Sequence, residues 1–248
     1  MQYRYNPARS GPAGSLALLA ALACAGCGPA TDRPTVDYYL PNPRALARVS
    51  RAVMLELAYE GPHPDLARDM TEAAVRAIRD RRLFHVELVR GDDPRMLELP
   101  VRIEGRKTLQ DLAALRKAFR CDAIILGSIR RYEPYPRMQI ALCLQLLDLR
   151  RGRLIWGLEQ TWDTTDRVTE SRIREFFRKG MRENYGPLDW RLATVSPKVF
   201  QKYVAWEVSE TFVADAPPAR TGTRVDLRTI GESLRKMQRI AKKLQVVG

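Results

Sequence analysis

Residues 121–162 read CDAIILGSIRRYEPYPRMQIALCLQLLDLRRGRLIWGLEQTW, and the fold class turns on this stretch. Asp122-Ala123-Ile124-Ile125-Leu126-Gly127 is a nearly continuous apolar run, the mark of a central strand covered on both sides. The turn EPYP at 133–136 separates a strand over 123–132 from one over 138–149, and Arg150-Arg151-Gly152 turns the chain tightly into a third strand over 154–162. Three strands joined this closely form an antiparallel meander, with Gly152 free to take the positive φ the second turn needs. In the middle strand Ile140, Leu142, Leu144 and Leu146 share one face, opposite Gln139, Ala141, Cys143 and Gln145.

Working toward the N-terminus, residues 52–59 alternate as a strand, with Val53, Leu55, Leu57 and Tyr59 on one face. Gly61-Pro62-His63-Pro64 breaks it, and Pro64 opens a helix to about Arg82, with Leu66, Met70, Ala74 and Ile78 four apart. Residues 84–89 alternate again, with Phe84, Val86 and Leu88 inward; a strand-helix-strand of this length implies a right-handed parallel crossover. Residues 91–107 are an irregular insert, and 108–120 a helix carrying Leu109, Leu112, Leu115 and Phe119. Beyond the meander, Asp166 or Thr165 caps a helix with Val168, Ile173, Phe176, Phe177 and Met181. Ser196-Pro197 opens another through Val199, Tyr203, Trp206 and Phe212. The expectation is an α/β domain over residues 46–214. It has a mixed five-stranded sheet, one parallel βαβ crossover plus the meander, in a two- or three-layer sandwich with packed helices.

The segments CDAIILGSIRRY and MQIALCLQLLDLRRGRLIW, with Asp122, Gly127, Asp148, Gly152 and Trp156 at their marked positions, resemble the envelope lipoproteins that share the fold of the TolB N-terminal domain. That group includes CsgG-like and LpoB-like lipoproteins. The resemblance spans about residues 50–180 and implies the fold; members differ in what they bind, so it implies no single function. The long amphipathic hairpins by which CsgG builds a membrane pore have no counterpart, since the insert at 91–107 is short and does not alternate.

The whole chain has 248 residues, 45% hydrophobic and 29% charged, which places it among globular proteins and outside the disordered class. Four Cys are too few for a disulfide scaffold, and no apolar run reaches the roughly 18 residues a membrane span requires. The N-terminus MQYRYNPARSGPAGSLALLAALACAGCGPA places Arg4 and Arg9 ahead of an apolar stretch from Leu16 to Ala25, the pattern of a signal peptide over residues 1–26. Its end, CAGC, resembles the lipobox of bacterial lipoproteins. That resemblance implies cleavage between Gly26 and Cys27, with diacylglycerol and N-acyl chains on Cys27. Cys24, after Leu22-Ala23, is the competing position, but the small Ala25-Gly26 pair suits a signal peptidase better. Several acyl chains, at about 0.8 kcal/mol per buried CH2, anchor firmly. Gly28 after the Cys lacks the Asp that retains such lipoproteins in the inner membrane, which implies the periplasmic face of the outer membrane. The Pro-rich residues 27–45 are expected to be an extended tether.

A search for chemistry returns little. His63 precedes a helix-starting Pro and His85 lies on the polar face of a strand, so both read as structural or surface residues. Cys121 and Cys143 fall out of register across the hairpin and read as small buried residues, not a disulfide or metal pair. Asp163-Thr164-Thr165-Asp166 lacks the spacing of a calcium loop and reads as a helix cap. Trp156, Trp162, Trp190 and Trp206 read as core, and Arg130, Arg131, Arg137 and Arg153 as solvated hairpin rims. A single-strand nucleic-acid platform is the weaker reading, because an exported lipoprotein does not meet nucleic acid. No catalytic group, cofactor or metal is expected.

The net charge of +13 is unevenly spread: +2 over residues 1–26, +6 over 27–214 and +5 over 215–248. After a linker at 215–225, Asp226 caps a helix to 248 in which Leu227, Ile230, Leu234, Met237, Ala241 and Leu244 make a short heptad seam. Arg235, Lys236, Arg239, Lys242 and Lys243 flank it. This basic amphipathic helix is expected to act outside the domain, in self-association or on an anionic surface. The sequence therefore points to a lipid-anchored, non-catalytic module of the cell envelope that recruits a protein or cell-wall partner. The alternative is a subunit of an oligomeric envelope assembly or export channel.

Overall fold

The structure, a computed structural model, describes residues 36–97, 109–181 and 190–212. Its elements run β1 (Tyr38–Tyr39), α1 (Pro43–Leu46), β2 (Arg51–Leu55), α2 (Leu66–Asp80), β3 (His85–Val89), α3 (Pro94–Leu97), α4 (Leu109–Phe119), β4 (Ala123–Glu133), β5 (Gln139–Asp148) and β6 (Arg153–Asp163). They are followed by α5 (Arg167–Phe176) with a π-helical turn at Phe177–Met181, then α6 (Leu192–Val195) and α7 (Pro197–Glu210). One mixed sheet holds all six strands in the order β1-β6-β5-β4-β2-β3. β2 lies parallel to both β3 and β4, and β4, β5 and β6 form the expected antiparallel meander. Gly152 turns its second hairpin at φ 64°.

The sheet has six strands where five were expected, and the extra one comes from the stretch assigned to the tether. Tyr38 and Tyr39 pair with Leu158 and Gly157 of β6, while Val36, Leu40 and Leu46 are buried in the core. One of the prolines that suggest an extended tether serves α1 instead. Pro43 sits in its first turn, and the Asn42 side chain accepts a hydrogen bond from the Arg44 amide. A two-residue strand has no periodicity of its own, so its partner had to be seen to find it.

The layers number three. On one face α2, α5 and α7 pack their apolar stripes over Ala52, Met54, Ile125, Ile140, Leu144 and Trp156. On the other, Leu115 and Phe119 of α4 cover Val53, Leu55, Ile124, Leu126 and Leu147. β2 is buried on both faces, not on one as its alternation suggested. The strand ends at Leu55, so Leu57 joins Ala52 and Met54 instead of Val53. α2 begins at Leu66, two residues after Pro64, with Asp65 at the N-cap. Within the insert at 91–107, residues 94–97 form the short α3, and the rest lies outside the described residues.

Candidate functional site

The five marked residues of the meander prove to be joints of the fold. Asp122 accepts hydrogen bonds from the Ser50 and Arg51 amides, each at 3.3 Å, and from the Arg150 guanidinium at 2.6 Å, tying β2 to the far hairpin. Partial burial works to raise its pKa, but these donors outweigh it and hold the carboxyl below its ordinary range. Asp148 accepts from the Arg150 and Arg151 amides at 2.8 and 3.2 Å and so shapes the turn. Gly127 leaves no space for a side chain: a Cβ there would lie 2.4 Å from Leu144 Cδ2 and 2.6 Å from the Cys143 carbonyl oxygen. The buried Trp156 donates from Nε1 to Thr211 Oγ1 at 3.1 Å and stacks on Phe212 at 4.2 Å.

The candidate chemical groups fall into similarly structural settings. Asp166 caps α5, accepting from the Thr169 amide at 3.0 Å, and Asp163 accepts from the Thr165 amide at 2.8 Å, so this run closes the strand and opens the helix. His63 meets Tyr132 edge to face at 5.0 Å, and His85 is exposed at the start of β3. Cys121 and Cys143 are free and buried. The register pairs Ser128 with Cys143, so the two cysteines lie seven residues apart along the ladder, about 24 Å. Burial pushes the Cys121 thiol up to about 11 and raises that of Cys143 as well. Trp156 and Trp162 are core residues, Trp190 lies under Arg174 and Arg191, and Trp206 under Arg172, so the four rings present no common platform.

One cluster was not anticipated. Glu207 on α7, 1% exposed, accepts from Arg172 Nε on α5 at 2.8 Å, and the same guanidinium also pairs with Glu175 and covers the Trp206 ring. Burial raises the Glu207 carboxyl pKa and Arg172 offsets part of that rise; burial likewise pushes up the neighbouring Tyr203 phenol. The available signal was Glu207 falling on the buried stripe of α7, one turn from Tyr203. Among the described residues no group of three or more His, Cys, Asp or Glu side chains could hold a metal ion, and no helix is long and apolar enough to cross a membrane. Gly26, Cys27 and the helix residues Leu227, Ile230, Leu234, Arg235, Lys236, Met237, Arg239, Lys242 and Lys243 lie outside the described residues.

No protein-family model and no curated protein matches the chain. Solved structures that resemble part of it include the PelC dodecamer from Paraburkholderia phytofirmans, at 15% identity and a TM-score of 0.38 over 55% of this chain and 87% of that one. The lipoprotein GNA1162 from Neisseria meningitidis is 13% identical with a TM-score of 0.34, over 53% of this chain and 99% of its own. The E. coli LpoB structure is likewise 13% identical with a TM-score of 0.34, over 65% and 81%. Likenesses this distant carry no residue-level correspondence and no shared function.

Proposed function

We propose that the chain is a lipid-anchored, non-catalytic module of the bacterial cell envelope, held by acyl chains on Cys27, that recruits a protein or cell-wall partner. The observation that carries this reading is the spacing of address and domain. A charged, then apolar, then small-residue leader ends at Cys27, and Tyr38, which pairs into the sheet, follows eleven positions later. Among the described residues Asp122, Asp148, Asp163, Asp166, Cys121 and Cys143 are engaged in caps, turns and core, which supports binding over catalysis. Cys27→Ala tests the anchor: it should block processing and leave the protein without acyl chains, and an unmodified Cys27 in mature protein from the native host would end the reading. Crosslinking in native envelopes followed by capture of the chain tests recruitment.

The alternative, a subunit of an oligomeric assembly, draws on one feature of the sheet. β1 covers only two residues of β6, so among the described residues most of the outer edge of this 11-residue strand has no neighbouring strand. Size measurement of the detergent-solubilised protein separates the two readings, since a ring-former runs as a large homo-oligomer.

A further inference from the structure

The sheet order places the starts of β4, β2 and β3 and the β5–β6 turn along one edge, spanning four inter-strand gaps, about 19 Å. That edge is lined with bases. Four of them are neutralised locally: Arg51 by Glu87, Arg81 by Glu210, Arg150 by Asp122 and Arg151 by Asp148. Six more, Arg48, Arg82, Arg116, Lys117, Arg120 and Arg153, are exposed and have no acidic partner among the described residues, against one such acid, Asp80. The dipole at the C-terminus of α4 accounts for Arg116 and Lys117 in its last turn. It does not account for Arg48 or for Arg153 beside the hairpin turn.

Arg82 and Arg120 add an independent sign. They follow α2 and α4, at φ 54° and 49°, in the left-handed region where a helix exit favours glycine. Both helices that lead into a parallel strand thus end on arginine where the backbone disfavours a side chain, and both arginines point to this edge as a place where charge is retained against strain. Beside Arg120 an open hollow of ≈ 500 Å³ is lined by Arg116, Lys117, Cys121 and Asp122.

We propose that this edge is a docking surface for the anionic phospholipid headgroups of the membrane in which Cys27 is anchored. It rests on the lipid-anchor reading. The basic segment 226–248 has the wrong sign to cover it. The membrane is within reach: Tyr38 pairs with Leu158, five residues along β6 from Arg153, about 17 Å from the edge. The eleven residues from Cys27 to Tyr38 extend to at most about 40 Å. The anchor and the basic edge can therefore meet one bilayer together, and each base near an anionic surface strengthens binding about fivefold.

The test uses the processed chain, residues 27–248, carrying Cys27→Ser so that no acyl chain contributes; its described residues share one sheet with an apolar core on each face. It should sediment with vesicles of phosphatidylcholine doped with phosphatidylglycerol and not with phosphatidylcholine alone. The combined variant Arg82→Asn, Arg116→Gln, Lys117→Gln, Arg120→Asn should bind the doped vesicles at least about tenfold more weakly. Asn tolerates the left-handed region, which offsets the loss of two cations from the last turn of α4, so this variant should fold and melt close to the wild-type temperature. Unchanged vesicle affinity in the variant would overturn the proposal and assign the binding to residues 226–248. Tight binding to soluble dextran sulfate with none to vesicles would overturn it in favour of a polymer. Mass spectrometry of Cys27 from the native host reads the anchor separately: a vesicle failure with acylated Cys27 removes the docking surface alone, and an unmodified Cys27 removes the anchor.

Discussion

Arg172→Leu should be the most damaging single change to the helical layer. Glu207 is 1% exposed, and Arg172 is the base that partners it. Removing the guanidinium leaves a carboxylate in the core with no counter-charge, a loss on the order of 3–5 kcal/mol. The cation stacked on Trp206 goes with it. For a domain of this size each kcal/mol moves the melting temperature by about 2–4 °C, so a fall of roughly 6–20 °C is expected at neutral pH. The pH dependence identifies the cause. Burial already raises the Glu207 carboxyl pKa, and without Arg172 it rises further. An acid whose folded pKa lies above its unfolded value favours the folded state most when protonated, so the deficit of the variant should be largest above the folded pKa and shrink as pH falls toward the unfolded one. Adding Glu207→Leu to Arg172→Leu should restore much of the loss, because no lone charge then remains buried. Thermal melts of the three proteins between mild acid and mild alkali measure all of this. A loss below about 1 kcal/mol, or one that does not change with pH, would refute the view that Glu207 is a buried charge held by Arg172.

Four further outcomes follow from other parts of the fold. Gly127→Ala should cost about 1–3 kcal/mol in urea unfolding, since the new methyl meets a backbone oxygen that cannot yield. Gly152→Val should lose about 1–2 kcal/mol by forcing a β-branched residue to positive φ, whereas Gly152→Asn should lose less; equal losses would refute the turn assignment. Cys121, its thiol pushed up to about 11 by burial, and Cys143 should resist alkylation in the native protein at neutral pH and react together on unfolding. Deleting residues 215–248 should move the melting temperature by no more than about 2 °C if Leu227, Ile230, Leu234 and Met237 contribute nothing to the core; a sharp fall would make them core residues.

The sequence by itself determined the central architecture, because the meander states its structure locally. Alternation across residues 138–149, a glycine where positive φ is required and a continuous apolar run over 123–126 are each readable without a partner. So are the Asp166 cap and the four-residue stripe of α2. The proposed N-terminal address is a local pattern too, since a signal peptidase reads an extended chain and not a fold. Tertiary structure decided what depends on neighbours distant in sequence. It turned part of an apparent tether into β1 by supplying Leu158 and Gly157 as partners, and it buried β2 on both faces by placing α2 and α4 on opposite sides. It also brought Arg172 to Glu207, and it lined up arginines from four separate segments along one edge of the sheet. A charge carries no label in the sequence for the charge it will face, so ion pairs and charged surfaces come into being only when strand order and helix placement bring their members together.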